Sequence, residues 1–311
     1  MTRYTTEMPL SIVIPCFNSA GSIRSVVLDI LEEVKLGTIP KQVEILLVND
    51  ASLDGTDIQI KALEVEFSSV SCINLARNYG QHVALLAGIS RASGSLVVTM
   101  DDDGQHVARE IPKLLEEISN GCDLVYGVAI DDEHALFRNL SSKITKSFMF
   151  RMLGISHAKQ ISAFRIFKRE LLDNIEVEST VNSMLDVILS WNTSAIRSIP
   201  VVMEKRKFGK SNYNFKRLFR FAFSVIVSYS VRPLRIATFF GLFFFLISAL
   251  LALYFIFQYL SGNIGLLGFT TITVLITTLS SVQLLTLGII GEYLINIHQK
   301  SIGKPLYRIQ K

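Results

Sequence analysis

Four times between Leu10 and Ser119 a short apolar run is followed by a segment of helical periodicity. A fifth run, Asp123 to Gly127, closes the series. Leu10 to Phe17 (LSIVIPCF) reads as a buried strand. The helix after it, about Ser22 to Leu36, carries Ile23, Val26, Val27, Ile30, Leu31 and Val34 on one face. Glu44 to Asn49 is a second strand. Ser52 to Thr56 is rich in capping residues and opens a helix to about Phe67. Val70 to Leu75 and Ser95 to Asp101 are further strands, with helices from about Gln81 to Ala92 and from about Ala108 to Ser119. Such alternation implies an α/β fold: a mostly parallel sheet with helices on both faces. Ligands of such sheets, phosphates above all, sit at the carboxyl ends of the strands and at helix N-termini.

The run SLVVTMDDDGQH (Ser95–His106) puts three carboxylates, Asp101, Asp102 and Asp103, at that edge. If the strand stays extended, Asp101 and Asp103 point the same way and Asp102 points elsewhere. Two neighbouring carboxylates repel each other unless a cation or a proton lies between them. A hard divalent ion, Mg²⁺ or Mn²⁺, bridging to a substrate phosphate resolves the conflict. The same three residues, taken alone, also fit a solvated acidic turn that caps the next helix.

Beyond Gly127 the pattern loosens. Leu136 to Leu153 reads as an amphipathic helix, Ile161 to Phe167 as a short strand, Val181 to Trp191 as a helix, and Ser194 to Met203 as an edge strand. From Met203 to Arg235 nine Lys or Arg face one acid, Glu204, and Asn214 to Val231 interleaves cations with Phe and Leu. That is the composition of a helix lying in a membrane interface. From Ile236 to Gly291 no residue is charged. The run is too long for one span of about 20 residues and suits two, about 236–259 and 266–290. The flanks are basic and the turn at Ser261-Gly262-Asn263 is uncharged, so the positive-inside rule places both termini and the α/β part in the cytoplasm. The expected organisation is therefore a cytoplasmic domain over 1–203, a basic juxtamembrane segment over 204–235, a two-helix transmembrane hairpin over 236–291 and a basic tail over 292–311. Met1 to Met8 is polar and does not read as a signal peptide. Cys16, Cys72 and Cys122 lie in or beside strands and read as core residues in a reducing compartment.

No serine–histidine–acid or cysteine–histidine arrangement stands out, and the five His residues lack ligand spacing. A G-x-x-x-x-G-K-[ST] loop is absent, which argues against a P-loop ATPase. The net charge of +4 is mild and concentrated beside the apolar run, which speaks for membrane lipid and not for nucleic acid as the partner of the cations.

Four motifs carry a family resemblance: IVIPCFNSAGSI (Ile12–Ile23), LLVNDASLDGT (Leu46–Thr56), LARNYGQHVALLAGISRASG (Leu75–Gly94) and VVTMDDDGQ (Val97–Gln105). SAFRIFKRELLD (Ser162–Asp173) and KRKFGKSNY (Lys205–Tyr213), followed by Arg232-Pro233-Leu234-Arg235, extend it. Together they resemble a family 2 glycosyltransferase of the GT-A fold, of the polyprenyl-phosphate sugar transferase type. That group includes dolichol-phosphate mannose synthase and the bacterial undecaprenyl-phosphate glucosyl and aminoarabinosyl enzymes. The resemblance covers nearly the whole chain. It implies metal-dependent, inverting transfer of a sugar from a nucleotide diphosphate sugar, a UDP-sugar by preference, to a polyprenyl phosphate such as undecaprenyl phosphate. The place would be the cytoplasmic face of the inner membrane, and the product would serve cell-surface glycan or lipopolysaccharide modification. A homotetramer is implied as well.

By the same resemblance Pro15, Phe17 and Asn18 line the base and ribose pocket, and Asp50 accepts the base imide N–H. Asp101 contacts ribose and metal, Asp103 is the main metal ligand, and Gln105 completes the metal shell. Arg138 and Ser142 bind the lipid phosphate, and Arg165, Arg206 and Lys210 serve the phosphates of donor or acceptor. Three positions depart from the family pattern. Ser19 stands where an acid is usual, Ala129 lies where an arginine is common after the fifth strand, and Lys159 lies where an acid is common before the Phe164-Arg165 pair. Two other readings stay open: a family 2 transferase with another acceptor, and an inactive nucleotide-binding anchor that recruits a flippase or polymerase. Processive synthases carry a Q-x-x-R-W motif, which this chain lacks.

Overall fold

In the computed structural model, residues 9–129, 161–173, 185–204, 232–261, 268–301 and 305–310 are described. They fall into two units, Met1–Arg217 with Gly303–Lys311, and Leu218–Ile302.

The first unit is built on strands β1 (Leu10–Cys16), β2 (Val43–Asn49), β3 (Val70–Asn74), β4 (Leu96–Thr99), β5 (Leu124–Ala129), β6 (Arg165–Lys168) and β7 (Ile196–Val201). Its helices are α1 (Ile23–Leu36), α2 (Thr56–Glu66), α3 (Gln81–Ile89), α4 (Ile111–Ser119) and α5 (Leu185–Asn192). The strands form one sheet in the order β3-β2-β1-β4-β6-β5-β7. β1 pairs in parallel with both β2 and β4, so the chain winds outward to β3 and then crosses back past β1. That reversal is the switch point at which open α/β sheets form a ligand crevice.

The period-2 alternation of the strands sorts their apolar side chains into two cores. Ile12, Ile14 and Cys16 of β1 pack with α1, α2 and α4, whereas Val13 packs with α3 and α5. The expected mostly parallel sheet is therefore present, with one difference. β6, from the anticipated Ile161–Phe167 run, is inserted antiparallel between β4 and β5. An apolar run fixes that a strand exists, but the partner is set by the chain's return path, which periodicity does not record.

Close packing of α3 on the sheet depends on Gly88. A methyl there would overlap Val13 Cγ1 and lie 2.8 Å from Val48 Cγ2.

The second unit contains α6 (Arg232–Leu260) and α7 (Gly268–Ser301), which pack against each other. Pro233 sits in the first turn of α6, where its missing N–H has no intrahelical partner to lose. Phe239, Leu250, Phe257, Ile276 and Leu284 are among the apolar side chains turned outward. Among the described residues no helix is long and apolar enough to cross a membrane. The expected interfacial helix of residues 214–231 lies outside the described residues.

Gly88→Ala should destabilise the first unit by about 1–3 kcal/mol, the usual cost of overpacking a filled core. Denaturation in detergent checks this, and an unchanged midpoint would contradict the packing described.

Candidate active site

Three strand ends converge on a cleft of about 260 Å³ lined by Pro15, Cys16, Phe17, Asp50, Asn78, Gly80, Gln81, Asp101, Asp102 and Asp103. Of the residues singled out by sequence, Pro15, Phe17, Asp50, Asp101 and Asp103 meet here.

The first wall is the turn after β1. Phe17 is 49% exposed at the lip of the cleft. Asn18 does not line it. It adopts a left-handed conformation with φ +55°, which Asn tolerates better than most residues. Its N–H donates to Ser52 Oγ at 3.0 Å, and its Oδ1 accepts Leu53 N–H at 3.2 Å. Asn18 thus ties the first wall to the loop after β2. The departure at Ser19 has a local answer. Asp54 accepts Ala20 N–H at 3.0 Å, and the Thr56 hydroxyl accepts Ser19 N–H at 2.9 Å. An acid therefore still faces the start of α1, supplied from the neighbouring loop.

The second wall is Asp50, almost fully buried at 2% exposure. Its two carboxylate oxygens accept Tyr79 N–H and Gly80 N–H, each at 2.7 Å. A carboxylate has about four lone-pair sites, so each oxygen keeps capacity for a ligand N–H. The loop Arg77–Gly80 is held against Asp50 in this way, and the Arg77 guanidinium lies 4.7 Å from the centre of the Tyr79 ring.

The third wall is the acidic trio. β4 ends at Thr99 and not at Asp101, and the trio lies in a turn in which Gly104 has φ +74°. The expectation that Asp102 points away is therefore corrected. The two-residue alternation stops before the trio, and all three carboxylates line the cleft. Asp102 Oδ2 accepts Phe17 N–H at 3.0 Å, which fastens the third wall to the first. Burial, aided by the Asp101 charge, pushes the Asp102 carboxyl up to about 6 against the opposing hydrogen bond from Phe17 N–H. Asp101 accepts Gln81 Nε2 at 2.7 Å, and its N–H donates to His106 Nδ1 at 2.9 Å. Asp103 Oδ1 accepts Gln105 N–H at 3.0 Å. Gln105 does not reach the cleft lining. Its backbone carbonyl accepts Glu204 N–H at 2.9 Å.

His106 was not singled out by sequence, yet it fixes the turn from below, stacked on Phe164 at 5.1 Å. The signal available was its place five residues after Asp101. Burial, with the Arg165 charge, holds His106 below its ordinary pKa against the pull of Asp101 and Asp103. Burial, with Arg165 again, brings His82 down to about 4. Both imidazoles are neutral at pH 7.

Arg165 does not face the cleft. At 2% exposure it pairs with Asp186, and its Nε donates to Thr99 Oγ1 at 3.0 Å. Tyr126 OH donates to Asp186 at 2.9 Å, and Thr99 Oγ1 donates to the Ala163 carbonyl at 2.6 Å. The expected phosphate contact gives way here to a buried network under the last residue of β4. Arg138, Ser142, Arg206, Lys210 and Lys159 lie outside the described residues, and Ala129 ends β5, exposed.

The donor set fits a hard cation. Asp101 and Asp103 offer carboxylate oxygens in one cleft, the ligands that Mg²⁺ and Mn²⁺ prefer. Among the described residues no group of three or more His, Cys, Asp or Glu could hold a metal ion.

The Glycosyl transferase family 2 profile matches residues 11–176. An undecaprenyl-phosphate 4-deoxy-4-formamido-L-arabinose transferase from Klebsiella pneumoniae is 31% identical, the match covering 100% of this chain and 95% of that protein. A bactoprenol glucosyl transferase of Shigella phage SfII is 33% identical over 98% of each chain. Among solved structures, mannosyl-3-phosphoglycerate synthase from Rubrobacter xylanophilus superposes with TM-score 0.52 at 15% identity, covering 73% of this chain and 74% of that one. A Mycobacterium tuberculosis glucosyl-3-phosphoglycerate synthase, crystallised with Mn²⁺, UDP and glucosyl-3-phosphoglycerate, gives 0.50 at 19% identity, covering 71% and 78%. At that identity the two structures speak for the fold alone.

Because the Arg165–Asp186 pair is buried, Arg165→Ala or Asp186→Ala should each cost about 3–5 kcal/mol of stability, by stranding the other charge. Chemical denaturation measures this. Unchanged stability in both variants would mean that Arg165 is free to act on phosphate instead.

Proposed function

The chain belongs to glycosyltransferase family 2, and we propose that it transfers a sugar from a UDP-type nucleotide sugar to undecaprenyl phosphate. The observation that carries this is the meeting of Asp50, Asp101 and Asp103 at one cleft on the switch point of the sheet. Full-length similarity to transferases whose names specify undecaprenyl phosphate or bactoprenol supports the acceptor.

On this reading Phe17, exposed at the lip, offers its ring to the base, and Asp50 accepts the imide N–H. Asp101 and Asp103 would hold Mg²⁺ or Mn²⁺. When bound, that ion supplies Lewis-acid stabilisation of the charge building on the leaving nucleoside diphosphate. Asp102 keeps the Phe17 wall against the trio. Arg165 steadies the end of β4 beneath them.

The acceptor needs little activation. A phosphate monoester has a second pKa of about 6 and is mostly dianionic at pH 7. That suits a cleft whose nearby imidazoles are neutral and engaged in packing. Arg138, Ser142, Arg206 and Lys210 are assigned to the acceptor phosphate from the family pattern. Held in line with the anomeric carbon, the phosphate oxygen displaces the nucleoside diphosphate in one step, with inversion. The uncharged run Ile236–Gly291, the outward apolar side chains of α6 and α7 and the basic flanks support a transmembrane hairpin. It would hold the catalytic unit at the cytoplasmic face, where the lipid acceptor is met.

Membranes containing the protein, given undecaprenyl phosphate and a panel of radiolabelled UDP-, dTDP- and GDP-sugars, should yield a labelled lipid with at least one donor, and only with Mg²⁺ or Mn²⁺. Asp103→Ala should lower that transfer at least about 100-fold while the protein stays in the membrane fraction. Absence of any lipid product from the wild-type protein would overturn the proposal and leave the anchor reading standing.

A further inference from the structure

Pro305–Gln310, at the end of the chain, reads in the sequence as part of a basic tail. In the structure it is docked on the sheet of the first unit. Ile309 lies opposite Leu75 in an antiparallel bridge. Ala76 N–H donates to the Arg308 carbonyl, and Gln310 N–H donates to the Asn74 carbonyl, both at 2.8 Å. Leu306, Tyr307 and Ile309 pack into the same apolar cluster as Tyr79. Tyr307 OH meets Ser90 Oγ, just past α3, at 2.9 Å.

Protection of the exposed edge of β3 is one consequence of this contact. Its position carries another. Asn74–Ala76 lead into the loop Arg77–Gly80, and α3, capped by Ser90, leads out of it. The docked segment therefore holds the elements on both sides of that loop. The loop in turn supplies the two N–H groups bound to the Asp50 carboxylate. Asn74 continues the connection inward: its side chain accepts Asn49 Nδ2 at 3.0 Å, and Asn49 Oδ1 accepts Ser52 N–H at 3.0 Å. Ser52 holds the Asn18 amide on the opposite wall. On the other side of the cleft Met203 bridges to His106, and Glu204 N–H donates to the Gln105 carbonyl.

We propose that Leu306–Gln310 is a positioning strap that orders the Arg77–Gly80 loop and thereby sets the affinity of the donor site. The second half of this statement rests on the reading of the cleft as the nucleotide-sugar site. The hydrogen bonds described for the strap run to Asn74, Ala76 and Ser90, on the Asp50 side of the cleft. Loss of the strap should weaken donor binding and leave the chemical step in place.

The test compares the full chain with one ending at Pro305, both in lipid nanodiscs. Amide hydrogen exchange at Tyr79 and Gly80 should accelerate about tenfold in the shortened chain, as expected of a local opening. KM for the nucleotide sugar should rise about fivefold or more, the range of ordinary site-to-site coupling, with kcat within about twofold. A synthetic peptide of residues 306–311, added in excess, should restore both. If the shortened chain is not recovered folded, Gln310→Pro, which removes the N–H bound to Asn74, should shift exchange and KM the same way. Unchanged exchange overturns the strap whether or not the protein binds a nucleotide. Faster exchange with unchanged donor KM overturns its role in affinity, and a peptide that restores neither overturns it as a separable positioning element. If the wild-type chain uses no nucleotide sugar, the donor reading fails while exchange still reports on the strap.

Discussion

Two carboxylates, Asp50 and Asp102, are each bonded to the main chain of a loop that they do not belong to. Asp50, at the end of β2, holds Tyr79 and Gly80, and Asp102, after β4, holds Phe17. Charge-assisted bonds to backbone N–H are among the stronger hydrogen bonds in proteins. Here they fix loops that would otherwise be free to part, since each loop leaves a different strand. The Asp102–Phe17 bond spans the switch point between β1 and β4, and the Asp50 bonds hold the loop after β3 against the end of β2. Remove them, and Asp101 and Asp103 lose the opposite wall.

Below this layer a second one does related work. Arg165, Asp186, Tyr126 and Thr99 form a buried polar network beneath the end of β4, and His106 takes the N–H of Asp101. Such a network is costly to bury and gains its value from complete pairing. It lies under the strand end whose carboxylates are proposed to hold a cation. The residues expected to perform chemistry thus stand on residues whose own groups are spent inside the protein.

Much of the first unit was legible because burial imposes period 2 on strands and 3.6 on helices, and Leu10 to Ser119 obeys both. The carboxylates at the strand ends were legible for the same reason. Asp102 and Arg165 were not. The role of Asp102 depends on where β4 stops, and a strand boundary is set by the turn at Gly104 and by neighbouring loops, not by the apolar run. The family resemblance of Ser162–Asp173 assigns Arg165 to a phosphate, and a resemblance does not record burial. Its partner, Asp186, lies on a helix remote in sequence, and no local pattern announces the pair. The docked Pro305–Gln310 segment was hidden by its charge. Lys304, Arg308 and Lys311 mark a basic tail, while the groups that bind β3 are backbone N–H and C=O, which every sequence possesses.

The central claim is that Asp101 and Asp103 take a divalent ion jointly with a nucleoside diphosphate. Electron paramagnetic resonance of Mn²⁺ tests this without any sugar transfer. With purified protein and UDP present, the sharp six-line signal of free Mn²⁺ should collapse, and Asp103→Asn should return most of it. A signal that stays at the free-ion level with wild-type protein and saturating UDP would contradict the claim.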